Sequence, residues 1–122
     1  MDKKESNRQK CHWAKFRDDS ETGEPCGSMI AIAYENDRFY MVKVNWGAEQ
    51  DFAYSSNGVV ELKWFFDEEN TEKLMRLMKV RTGRGLVGAM YRRFKRSARF
   101  ADFMINSFCR KEGVKFDYQI YP

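Results

Sequence analysis

Two hydrophobic periods divide this chain near Phe66. Before it, apolar positions recur at every second residue; after it they follow helical spacing, and alternation returns at Val114. The segments 29–34 (MIAIAY) and 38–46 (RFYMVKVNW) flank the polar turn 35–37 (END), which predicts an antiparallel hairpin. In the second segment Tyr40, Val42, Val44 and Trp46 share one face, and Phe39, Met41, Lys43 and Asn45 share the other. The first set reads as the strongly apolar one. A second hairpin is predicted from 51–54 (DFAY) and 59–66 (VVELKWFF), joined through 55–58 (SSNG), because Asn-Gly accepts positive φ at both central turn positions. Upstream, Cys11 to Arg17 reads as a short edge strand carrying Trp13 or Phe16 inward, and residues 18–28 are rich in turn formers.

Helical spacing begins after Phe66. Asp67 or Asn70 supplies an N-cap, Glu68, Glu69 and Glu72 suit the first turn, and Leu74, Leu77 and Met78 form an apolar stripe. Glycines at 83, 85 and 88 interrupt. Leu86, Met90 and Phe94 then recur at four-residue intervals, and a further helical segment from Ser97 to Glu112 stacks Phe100, Phe103 or Met104, and Phe108. Whether residues 84–112 form one helix or two is open, with Ser97 as the candidate break. Gly113 is a natural stop, and Val114, Phe116, Tyr118 and Ile120 alternate as one face of a last strand. The order of elements predicts an α+β fold: a mostly antiparallel sheet of two hairpins plus a C-terminal strand, with two or three helices packed on one face. Residues 1–27 read as a polar arm and loop, and residues 28–122 as a single domain.

Charge adds what periodicity does not. Basic and acidic groups balance at six each in residues 1–27, stand at three against eight in 28–70, and at thirteen against four in 71–122. The net +4 therefore hides an acidic sheet and a basic helical region. From Lys79 to Ala101 there are eight Lys or Arg and no acid, an asymmetry that bears on partners and not on fold. The N-terminus lacks the apolar core of a signal peptide, the longest apolar run is too short to cross a bilayer, and three irregularly spaced cysteines do not suggest a disulfide framework. A cytoplasmic protein without a membrane partner is expected.

Candidate chemistry gathers in the basic region. The stretch 83–88 (GRGLVG) matches G-x-G-x-x-G, yet a dinucleotide fingerprint needs a buried strand leading into the turn, and the residues before it read as a helix. Asp102, spaced tolerably for a ribose-binding acid, falls within a helical pattern. Gly83, Gly85 and Gly88 with Arg81 and Arg84 remain a possible phosphate loop, or a plain connection between helices. If residues 85–99 formed one helix, Arg92, Lys95, Arg96 and Arg99 would share an arc of roughly 100°, with Tyr91 at its border and the apolar face opposite. Arg81, Arg84, Arg92, Arg93, Lys95, Arg96 and Arg99 are thus the candidate phosphate contacts. Strand aromatics such as Tyr40, Trp46, Tyr54 and Trp64 suit a core better than a base-stacking platform, and the acids around them (Glu35, Asp37, Glu49, Asp51, Glu61) disfavour nucleic acid there.

Other sites are poorly supplied. Cys11, His12 and Cys26 form a weak metal set, with adjacent ligands and no C-x-x-C. There is one histidine and no nucleophile elbow, and Glu61, Asp67, Glu68 and Glu69 read as ordinary acids, mostly at a helix start. The expectation is a non-enzymatic, cofactor-free protein that binds nucleic acid or another phosphate-rich polyanion. A protein-binding inhibitor or adaptor is the alternative, acting on a nucleoprotein complex or self-associating through the acidic sheet. Phage-encoded anti-defence proteins of the anti-CRISPR kind are analogous in size and charge character. A sponge for small nucleotides is the third reading.

Overall fold

The fold, a computed structural model, is described for residues 12–20, 22–23, 25–47 and 58–121. Its elements run β1 (His12–Asp18), β2 (Gly27–Glu35), β3 (Arg38–Trp46), β4 (Val59–Phe65), α1 (Glu68–Met78), α2 (Gly83–Phe94), a 3-10 segment (Lys95–Phe100), α3 (Ala101–Glu112) and β5 (Asp117–Tyr121). The five strands form one antiparallel sheet in the order β1-β2-β3-β4-β5, so every strand lies beside its sequence neighbour. This is the α+β architecture expected. The entire helical region is inserted between β4 and β5, which are themselves paired. The strand expected at residues 51–54 lies outside the described residues; β4 pairs directly with β3, from Val59 opposite Trp46 to Phe65 opposite Tyr40.

The first hairpin turns as its sequence requires. Asn36 and Asp37 both take left-handed backbone (φ 55° and 65°), the conformation of a two-residue turn whose twist matches the strands it joins. Which face of β3 turns inward differs from expectation. Phe39 and Met41 are fully buried, while Tyr40, Val42, Val44 and Trp46 are half-buried on the opposite face. Lys43 made the inward face look polar, but its Nζ lies 3.3 Å from the Asp102 carboxylate of α3, so the charge is answered beneath the helices.

One core joins the sheet to the helices. Ile30, Ile32, Met41, Phe39 and Phe66 contribute from the sheet side, with Leu74, Leu86, Met90 and Ile105 from the three helices. Asp67 caps α1, accepting the Asn70 backbone N–H at 2.8 Å. Of the expected α1 stripe only Leu74 is fully buried; Leu77 is exposed, and the buried polar Thr71 takes its place, its hydroxyl accepting the Phe39 N–H at 3.0 Å. That bond serves a backbone donor on β3, so a polar residue inside the core costs little.

The third helix is also phased differently. A helix end at Phe94, then a 3-10 segment with Ser97 off helical geometry (φ −107°, ψ 39°), rotates the chain before α3 starts at Ala101. Ala101, Ile105 and Cys109 face the core, whereas Phe100 and Phe103 are each 65% exposed and Met104 is exposed beside them. The expected stacking of Phe100 and Phe103 or Met104 is thus overturned; Phe108 alone of that set is half-buried, packed edge-on to Phe94. Of the two arrangements left open for residues 84–112, the structure has the broken one, so the arginine stripe that a single helix over 85–99 would carry is not continuous. At the other edge of the sheet, β1 pairs with β2, so the sheet extends through residues 12–18 of the stretch read as arm and loop. Strand alternation sets Trp13 and Phe16 on opposite faces: Phe16 joins the core, and Trp13 is 62% exposed.

Candidate nucleic-acid interface

Helix α2 carries the candidate residues, and its start explains the glycine motif. Thr82 is extended (φ −129°, ψ 159°), and its hydroxyl accepts the Gly85 N–H at 2.9 Å while its carbonyl accepts the Leu86 N–H. That is ordinary N-capping chemistry. Gly83 is dictated by packing. A Cβ there would lie 1.9 Å from the Tyr34 ring, so only glycine lets the helix approach β2 this closely. The element leading in is α1, which ends at a left-handed Lys79 (φ 59°), and not a buried strand. The geometry of a dinucleotide fold is therefore missing around 83–88. Asp102, engaged with Lys43, is fixed inside the fold and unavailable as a ribose acid.

Taking about 100° per residue, Arg84, Gly88, Tyr91, Arg92 and Lys95 fall within about 100° of the α2 circumference. Leu86, Met90 and Phe94 occupy the buried side. Gly88 has a second use here: a Cβ on it would sit 3.2 Å from Arg92 Nη1, so the Arg92 side chain lies back along the helix over the gap that glycine leaves. Tyr91 is stacked on Phe16 of β1, with centroids 5.5 Å apart and rings 23° from parallel. The space between β1 and α2 is a groove of about 580 Å³, lined by His12, Trp13 and Ala14 on one side and by Thr82, Arg84, Gly88, Tyr91 and Arg92 on the other.

Not every expected cation joins this surface. Arg93 points the other way, its guanidinium 4.7 Å from the centre of the Phe108 ring and 5.7 Å from that of Phe94. Arg99, beyond the 3-10 break, lies toward Asp19. The Asp19 carboxyl is held below the usual carboxylate range first by the hydrogen bond from Arg17, then by the Ser28 N–H, with the pull of Arg99 smaller. Arg81 precedes the cap of α2, and Lys95 and Arg96 continue from its end. All seven candidates are exposed, and among the described residues none is in an ion pair with a carboxylate. Trp13 and His12 were absent from the expected site, because a groove that joins residue 13 to residues 84–92 leaves no trace in local spacing.

A second cleft, of about 590 Å³, is lined by Glu35, Arg38, Tyr40, Phe65, Asp67 and Asp117 among others. Of the other acids assigned to the sheet, Glu61 is paired with Lys63 at 3.2 Å, Asp37 accepts from the Tyr34 hydroxyl, and Glu49 and Asp51 lie outside the described residues. Of the metal set, Cys11 also lies outside them, and no cluster of three His, Cys, Asp or Glu occurs among the described residues. Cys109 is buried in the core, and burial raises its thiol pKa to about 12, which leaves it an unreactive packing residue. No helix among the described residues is long and apolar enough to cross a membrane. No family model, curated protein or solved structure matches the chain.

Proposed function

We propose that this protein is a non-enzymatic binder of nucleic acid, acting in the cytoplasm, whose contacts run mainly to phosphates from Arg84, Arg92, Lys95 and Arg96, with Arg81 and Arg99 at the margins. The observation that carries the reading is that Arg84, Arg92, Lys95 and Arg96 are exposed and form no ion pair with a carboxylate among the described residues. Cations without an internal counter-charge are free to displace the counterions of a polyanion, which favours sequence-independent binding. Arg93, committed to Phe108, is left out of the set. Fluorescence anisotropy with labelled single- and double-stranded DNA and RNA at low salt tests this. Saturable binding by at least one of them is expected, and flat titrations with all of them would remove the reading.

A second reading, a protein-directed inhibitor or adaptor, draws support from α3. Phe100, Phe103 and Met104 form an exposed apolar cluster, and such clusters commonly mark partner surfaces. In that case Phe103→Ser should abolish a stoichiometric complex with a protein partner while changing stability by less than about 0.5 kcal/mol.

A further inference from the structure

We infer that the face of the sheet turned away from the helices is the interface of a homodimer, in which two copies of this chain pack sheet against sheet. The inference goes beyond the nucleic-acid reading and does not rest on it. Strand register places the side chains. Ile30, Ile32, Phe39, Met41 and Trp64 point into the core beneath the helices, so the residues that alternate with them point the other way. One row across that outer face is Trp13, Ala33, Tyr40 and Phe65; the central row is Lys15, Ala31, Val42 and Lys63. No residue of either row belongs to the hydrophobic core or packs against it. Trp13, Phe65, Val59 and Tyr121 are all exposed on this face.

Charge, shape and area select the partner. Lys15 is paired with Asp18 at 2.7 Å and Lys63 with Glu61 at 3.2 Å, and Arg38 stands opposite Glu35 in the register, which leaves Asp117 over at the edge. The face is thus close to neutral, and a polyanion or an anionic lipid surface meets cations already answered. A neutral apolar surface suits another of its kind, and a second copy supplies one. In shape, β2 offers only Ala31 and Ala33 (8% and 6% exposed) beside Tyr40, Val42, Val44 and Trp46 of β3. A trough flanks a ridge, so the ridge of one copy fits the trough of its partner, as side chains interdigitate between packed sheets. In area, five strands about 4.8 Å apart, each about seven residues long at roughly 3.3 Å per residue, span roughly 20 Å by 20 Å. Two copies then bury on the order of 1,000 Å² of accessible surface, the size at which specific interfaces begin. The helices lie outside such a dimer, so the basic surface of α2 stays open in both copies.

Val42 is the middle residue of β3, the third of five strands, so a two-fold axis through the centre of the face brings the two Val42 side chains together. Sedimentation velocity over a concentration series tests this. The native protein should pass from monomer to dimer with a dissociation constant in the micromolar range. Val42→Lys and Val42→Glu should each weaken the dimer by at least about 100-fold. Mixing the two should restore association as a heterodimer, an outcome that misfolded variants do not give. Phe65→Glu, at an exposed position on the same face, should weaken the dimer by about tenfold with an unchanged thermal melt. A native protein that stays monomeric at every concentration would overturn the inference, and so would a dimer indifferent to all three substitutions. Binding to anionic vesicles that Val42→Glu abolishes would overturn it in favour of a membrane surface.

Discussion

Two clefts among the described residues are nearly equal in size and differ in what their charges do. At the β2–β3 end, Asp67 caps α1 through Asn70, and Arg38 attracts the same carboxylate, so acid and base share one cleft and part of the charge is consumed by folding. In the β1–α2 groove, Arg84 and Arg92 are exposed without a carboxylate among the lining residues. Folding accounts for the first arrangement and leaves the second unexplained. The cations that folding leaves unanswered are therefore those of the groove.

Reversing charge in each region breaks the comparison most sharply. Arg84→Glu with Arg92→Glu should lower nucleic-acid affinity on the order of 100-fold, because two attractive contacts become repulsive. Glu35→Lys with Glu68→Lys, at the other cleft, should change it by no more than about twofold at physiological ionic strength, because neither side chain lines the groove and both are exposed to screening. Anisotropy titrations of the two double variants measure both. Next in size is Gly83→Ala, whose new methyl would collide with the Tyr34 ring and should destabilise the fold by about 2 kcal/mol in urea unfolding. A loss of nucleic-acid affinity at full stability would instead assign that glycine to a phosphate loop.

Within the basic set itself, Arg93→Ala should cost about 0.5–1 kcal/mol of stability through its lost contact with Phe108, with affinity nearly unchanged. Arg84→Ala should show the reverse. The smallest effect concerns acid. Hydrogen bonds from Asn70 hold the Asp67 pKa below its ordinary value of 3.8, so its stabilisation is complete above that pH and is lost as pH falls through the lowered value. Asp67→Asn keeps a competent cap and removes the titration, so thermal melts of this variant should fall off less steeply below the ordinary carboxylate range than those of the parent.

Much of the fold was legible where one period dominated. The β2–β3 hairpin, the Asp67 cap and the Leu86–Met90–Phe94 face follow from local spacing and turn chemistry, whereas the last strand is shorter than its alternation, starting at Asp117 with Tyr118 exposed. The inward face of β3 was not legible, because both faces carry large apolar residues and Lys43 misled until its partner Asp102 was known. The phase of α3 was hidden by the 3-10 segment, since a kink at Ser97 rotates every later position without changing composition. Of the site, the arginines were visible as a charge run, but their division was not: Arg93 turns to Phe108 and Arg99 toward Asp19. The β1 wall of the groove, with His12 and Ala14, joins α2 only through sheet pairing, a contact between distant parts of the chain.

The most direct measurement is the salt dependence of single-strand affinity. If Arg84, Arg92, Lys95 and Arg96 each engage a phosphate, log K should fall against log salt with a slope of about −3, at about 0.7 per contact, and Arg84→Ala with Arg92→Ala should flatten it to about half. An affinity indifferent to salt, or a slope that the double variant leaves untouched, would contradict the claim that these unpaired cations are the binding surface.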